Sequence, residues 1–331
     1  MVSNSASNGC RVAIHAGSIV LAFITQIISG IFFVLAQESC VPNALFQTSS
    51  RNVSESFPLE VSMDWWSETY WILIDLWSKA WLIYAVVSLF KRNVLGPEAW
   101  NPEIHPPKFY LMWATVNITR VCSMPFWDQR FILSAVVLRW ILPVYSFGML
   151  YISYSNLSKH KSWLAINNPS VIHWTRYLTQ NGLAAFAWWS VLHAAVGLGL
   201  VLKYYAFVED PLVSTIILAI IFLCIITWFI LQNFFFSKHM RHTFSVYAVL
   251  VLGLGSMFTS SYRVQNLSIN TAICGIMMLL VTIMSFIHLI STCVDKSSKP
   301  VAVEPYRRHD GCETVCQLGG KPKSTFQAIS S

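Results

Sequence analysis

The chain has 331 residues, of which 55% are hydrophobic and 11% charged, with a formal net charge of +7. Soluble domains carry about 25% charged residues, so this composition cannot cover a water-facing surface and excludes an ordinary soluble globular protein. The positive charge sits in short clusters between apolar runs, as topology signals do, and no nucleic-acid-binding module accompanies it.

Residues 1–10 are polar and read as a short cytoplasmic N-terminus. A membrane-crossing helix needs about 20 apolar residues. Eight segments qualify, at about 11–36, 67–90, 108–124, 131–154, 177–203, 211–236, 243–261 and 268–293. The expected fold is therefore all-α, a polytopic transmembrane helix bundle of about eight helices over residues 11–293. The first run is too long for a signal-peptide core and has no small-residue cleavage site, so it reads as a retained helix. An exterior loop at about 37–66 contains Asn52-Val53-Ser54, a sequon far enough from lipid to be used, which makes Asn52 the expected glycosylation site. The third segment is short and carries Asn117 and Arg120. It should stop at the tight turn Pro125-Phe126-Trp127-Asp128-Gln129-Arg130, where proline breaks the helix. In the seventh segment, Leu252-Gly253-Leu254-Gly255-Ser256 predicts close helix packing. Residues 294–331 are polar, without apolar periodicity, and read as a disordered cytoplasmic tail.

Orientation follows from lysine and arginine. The breaks at 91–107, 155–176 and 237–242 carry Lys91-Arg92, Lys159-His160-Lys161 with Arg176, and Lys238 with Arg241. The tail adds six more basic residues, from Lys296 to Lys323. Eight crossings put every basic break on one side and make both termini cytoplasmic in an integral membrane protein of the plasma membrane or an endomembrane. Of the 14 tryptophans, Trp65, Trp66, Trp100, Trp127, Trp163 and Trp174 lie near segment ends and read as an interfacial belt. Trp188-Trp189 falls deep in the fifth segment and reads as packing.

Ionised side chains within membrane segments are costly and mark interior or wet positions. Glu68, Asp75 and Lys79 lie on nearly one face of the second segment, and Asp75 and Lys79 have the i, i+4 spacing of an ion pair. Arg120, Arg139 and His193 follow in the third, fourth and fifth segments. Packing of helices two to five around one space would bring these six together as a ligand pocket, open to the exterior, for a small polar or anionic molecule. The alternative is that the charges neutralise one another and fix helix register, or snorkel to the interface.

Enzyme signatures such as H-E-x-x-H, G-x-S-x-G and the P-loop are absent, so no catalytic residue is assigned and a non-enzyme is expected. Cys312 and Cys316 lack a second ligand pair for zinc. Neither metal nor cofactor is expected. The partners expected are the lipid bilayer, a small-molecule ligand and a cytoplasmic protein bound by the tail, and nucleic acid is not among them.

Residues 177–193, with Asn181-Gly182 at the start and Trp188-Trp189-Ser190 at the centre, resemble one helix of an uncharacterised family of animal multi-pass membrane proteins. More distantly, they are similar to tryptophan-rich proteins of the TspO/MBR type. That family more often has small hydroxyl residues after the tryptophan, and an asparagine further on has no counterpart here. The resemblance implies a five-helix bundle with a hydrophobic ligand pocket and no established catalysis. The leading functional expectation is small-molecule binding or transport through the polar intramembrane pocket. The alternative is a non-transporting sensor or scaffold that signals through its tail.

Overall fold

The structure, a computed structural model, describes residues 2–37, 46–93, 96–262 and 268–297. It is all-α. In chain order the helices are α1 (Val2–Gln37), α2 (Ser50–Ser56), α3 (Glu68–Phe90), α4 (Pro107–Asp128), α5 (Ile132–Asn167), α6 (Pro169–Trp174), α7 (Asn181–Tyr204), α8 (Asp210–Ile230), α9 (Ser237–Met240), α10 (Ser245–Ser261) and α11 (Ile269–Ser297). A hairpin of two-residue strands, β1 (Arg92–Asn93) and β2 (Gly96–Pro97), joins α3 to α4, with Arg92 opposite Pro97. A 3₁₀ turn at Trp65–Ser67 opens α3, and π-helical turns at Thr175–Gln180 and Leu231–Phe235 precede α7 and follow α8.

Among the described residues, six helical runs are long and apolar enough to cross a membrane: Gly9–Gln37, Trp65–Phe90, Ile132–Asn167, Pro169–Tyr204, Asp210–Phe235 and Ile269–Cys293. All eight expected segments are helical, with different ends. α1 begins at Val2, inside the stretch expected to be a polar N-terminus, and α5 runs on to Asn167. α11 reaches Ser297, so the expected tail starts as helix, and residues 298–331 lie outside the described part.

The expected turn at Pro125 is displaced. α4 continues through Pro125 to Asp128: the proline costs the ladder its own amide bond, but Gln129 N–H still reaches Pro125 O at 2.9 Å. The end is then made by a Schellman motif. Arg130 takes a left-handed conformation with φ 62°, Phe131 N–H donates to Phe126 O at 2.8 Å and Arg130 N–H to Trp127 O at 3.1 Å. The rings of Phe126 and Phe131 meet edge to face at 6.5 Å, the apolar contact this motif favours.

α7 is the axis of the molecule. It packs against α3, α5, α8 and α10, while α1 lies along α3 and α4, and α4 along α5. A helix hydrophobic around its whole circumference belongs in a core, and α7 is buried from Asn181 to Leu192 without a break. Glycine sets the close approaches. A Cβ at Gly197 would stand 2.9 Å from Val136 of α5, and one at Gly199 would stand 2.9 Å from Leu59. Gly253 of α10 admits the Leu192 side chain, so the Leu252–Ser256 run is packing.

The Asn181-Gly182 pair has a local explanation. Asn181 Oδ1 accepts from the amides of Phe244 and Ser245 at 2.9 and 3.1 Å, which caps the start of α10. Gly182 leaves room for the Trp77 indole, 2.8 Å from where a Cβ would be. Trp188 and Trp189 are 2% and 0% exposed. Trp188 meets Phe147 and Trp228, and Trp189 meets Tyr70 and Trp71.

Residues 57–64 cross one end of the bundle as a strap. The amides of Glu60, Val61 and Asp64 donate to Asp210 Oδ1, Ser214 Oγ and Ser256 Oγ. Lys203 Nζ donates to Pro58 O at 2.5 Å and pairs with Asp210 at 2.8 Å. At the near side, Asp128 accepts from the amides of Gln47 and Thr48 at 3.0 and 2.8 Å. The segment is thus tied to α4 and to α8 by backbone-directed carboxylates, over the space described next.

Candidate functional site

A cavity of about 140 Å³ lies under this segment, between α1, α3, α4, α5 and α7. The polar side chains on its wall include Glu68, Arg120, Arg139, Ser190 and His193, and its apolar wall includes Phe33, Phe57, Trp71 and Trp127. A water needs roughly 10–15 Å³ on this measure, so the space is large enough for a small organic molecule.

Four of the six residues singled out in the sequence line the cavity: Glu68, Arg120, Arg139 and His193. Asp75 and Lys79 are not lining residues. They stand behind Arg120 and hold it. Asp75 is 8% exposed and accepts from Gln26 Nε2 at 2.5 Å, Lys79 Nζ at 2.8 Å and Arg120 Nη1 at 3.3 Å. Gly30 of α1 packs closely here, since a Cβ there would lie 3.2 Å from Asp75 Oδ2. Gln26 also accepts from Trp113 Nε1 at 3.0 Å, which links α1, α3 and α4 through one carboxylate.

Arg120, 5% exposed, spends Nη1 on Asp75 and has no partner for Nη2. Its guanidinium lies over the adjoining rings of Phe33 and Trp71, 5.0 and 4.8 Å from their centroids. Arg139 stacks on Trp127 at 3.9 Å and makes no ion pair within 4 Å among the described residues. Trp127, assigned from sequence to the interfacial belt, is instead 5% exposed and a wall of the cavity, because α4 runs one turn further than expected. Glu68 accepts from Gln37 Nε2 at 3.1 Å and lies in electrostatic reach of both arginines.

Two more polar atoms on the wall are buried without a partner: Ser190 Oγ and His193 Nε2. Ser190 is 2% exposed, and the His193 ring rests on Trp71 at 5.1 Å. Buried polar groups almost always find partners. Three orphaned groups on one wall therefore mark a place where something polar belongs.

Beneath the cavity the bundle is closed by aromatic rings. Trp71 meets Phe186 at 5.9 Å and Trp189 at 6.4 Å, and Trp113 meets Phe186 at 4.9 Å and Trp81 at 5.2 Å. The space is a blind pocket rather than a passage.

Sequence reasoning missed Gln26, Gln37, Asp128 and Ser190. Lone polar residues in apolar runs are a weak signal, and which of them meet depends on helix packing. Asn52, in α2, is exposed, with Ser54 of its sequon on the cavity rim. Among the described residues no three His, Cys, Asp or Glu side chains converge as metal ligands.

No family model, curated protein or solved structure matches the chain.

Proposed function

We propose that the chain is an integral membrane protein of eight crossings that binds a small molecule in the cavity between α1, α3, α4, α5 and α7. One observation carries this reading. Arg120, Ser190 and His193 all line a single cavity, and each holds a buried polar atom without a partner. Leaving such groups unpaired costs about 1–3 kcal/mol each, a cost that a bound ligand offsets.

Six apolar runs support membrane insertion. α4 and α10 complete the eight. α4 is too polar by composition, but Asn117 and Arg120 are 0% and 5% exposed, turned away from the lipid side. It also lies between α1 and α5, which are themselves long enough to cross. The cavity lies at the end of the bundle that carries Asn52, which the distribution of basic residues puts outside the cell or in an organelle lumen. Glycosylation of Asn52 belongs to the same reading. The hydrophobic pocket implied by the resemblance of residues 177–193 to TspO/MBR-type proteins is compatible with the aromatic wall. The closed aromatic floor favours binding over an open conduit, so transport would require α3 and α7 to separate.

The test is thermal stability of the purified full-length protein against a panel of small metabolites, for wild type and Ala36→Trp. Ala36 lies on the cavity wall and carries no polar side chain. A ligand is expected to raise the midpoint of wild type by several degrees and leave the filled variant unmoved. Equal stabilisation of both, or of neither, overturns the reading.

A further inference from the structure

The unsatisfied groups on the cavity wall are unequal in kind. Arg120 Nη2 can only donate, and so can the guanidinium of Arg139. The Ser190 hydroxyl donates readily, and His193 Nε2 donates in one of its two tautomers. On the accepting side, Glu68 already takes Gln37, and Asp128 is committed to the amides of Gln47 and Thr48 and to Thr48 Oγ1. The space is therefore rich in donors that have nothing to donate to.

We infer that the cavity takes a carboxylate monoanion with a compact apolar body, its oxygens met by the Arg120, Ser190 and His193 side chains that line it. This rests on the binding reading above and names the ligand's chemistry. Arg120 is pre-oriented for it. Asp75 fixes Nη1, Phe33 and Trp71 hold the guanidinium plane, and the second nitrogen is left for the ligand. A guanidinium held between rings and a carboxylate loses little freedom on binding, which favours a planar, two-oxygen acceptor.

Charge selects a monoanion. Lys79, Arg120 and Arg139 stand against Glu68, Asp75 and Asp128, so the ionised groups in and behind the cavity balance. A single added charge can be met by the spare donors. A dianion such as phosphate would bring a second charge with nothing to compensate it in a partly desolvated site. Size selects a compact body. A buried space of roughly 150 Å³ accepts benzene, and this cavity is of that order, with Phe33, Phe57, Trp71 and Trp127 to cover an apolar group.

The experiment uses the full-length protein in detergent, titrated with benzoate, with its neutral isostere benzamide and with laurate, by isothermal calorimetry and thermal shift. Ser190→Ala is the variant. Deleting an orphaned hydroxyl removes a buried unsatisfied group, so this variant is expected to fold and to melt no lower than wild type. Benzoate is expected to bind wild type, benzamide to bind much more weakly, and Ser190→Ala to lose about tenfold in benzoate affinity. Laurate binding in place of benzoate overturns the compact body and leaves the carboxylate assignment standing. Equal binding of benzoate and benzamide overturns the monoanion assignment but leaves the binding site standing. Binding by none of the three overturns both. Unchanged benzoate affinity in Ser190→Ala overturns the assignment of the donors.

Discussion

Asp75 gathers donors from three helices and ties α1, α3 and α4 together through its two oxygens. Breaking a buried ion pair from one side is far worse than never having had it, because the surviving charge stays buried. Asp75→Asn leaves Arg120 in that position, with Phe33 and Trp71 around it and no carboxylate. The expected loss is about 3–5 kcal/mol, read as a large fall in thermal midpoint. Gly30→Ala is the control at the same spot. Its methyl group would stand 3.2 Å from Asp75 Oδ2 and 3.3 Å from Lys79 Nζ, but the Lys79 amine is mobile enough to yield. A helical glycine-to-alanine gain of about 1 kcal/mol offsets the crowding, so Gly30→Ala should stay within about 1 kcal/mol of wild type. An Asp75→Asn protein as stable as Gly30→Ala would mean that Asp75 holds nothing together. The pairing of Asp75 with Lys79 is legible in the sequence, because i, i+4 spacing on a helix dictates it. The pairing with Gln26 and Arg120 is not, since both partners come from other helices.

Helix ends are less legible than helix existence, and α4 is the instructive element. The sequence places a proline, four polar or aromatic residues and an arginine between two apolar runs, which reads as a turn at the proline. Proline loses its own amide bond and crowds the carbonyl one turn back, but the bond from Gln129 N–H to Pro125 O carries α4 past it. The stop lies at Arg130, which must adopt φ 62° without being glycine. The motif was legible only as composition, because the bonds that define it span Phe126 to Phe131. The consequence is functional: the extra turn carries Trp127 into the cavity wall under Arg139. Left-handed backbone costs a residue with a Cβ about 1–2 kcal/mol, and Arg130 is exposed with little packing to lose. Arg130→Gly is therefore expected to raise stability by about 1 kcal/mol, seen as a higher melting temperature with the cavity unchanged. A lower melting temperature would mean that the Arg130 side chain contributes more than its backbone strain costs.

For the whole molecule, length and hydropathy pick out six runs able to cross among the described residues, whereas the proposed topology has eight crossings. Both counts are even, so the termini share a side either way and tagging them decides nothing. The two differ at the break after α5. With eight crossings, α4 returns the chain to the exterior, α5 runs inward, and residues 155–176 share the side of the termini. If α4 and α10 do not cross, that break lies opposite the termini. Ser162 is exposed near the end of α5 and suits a probe. In a background with the eight native cysteines replaced, Ser162→Cys should resist a membrane-impermeant maleimide in intact cells and react after permeabilisation. An N-terminal tag should behave the same way, and Asn52→Gln should remove an endoglycosidase-sensitive mass. Labelling of Ser162→Cys in intact cells would remove α4 from the crossings and would bring the basic cluster Lys159-His160-Lys161 to the exterior, against the distribution of charge. Protection would instead mean that Arg120 and Asn117, the residues that make α4 too polar for a hydropathy threshold, cross the bilayer facing inward. Their polarity is then absorbed by Asp75 and the bundle interior rather than by lipid, and a helix that fails by composition passes by packing.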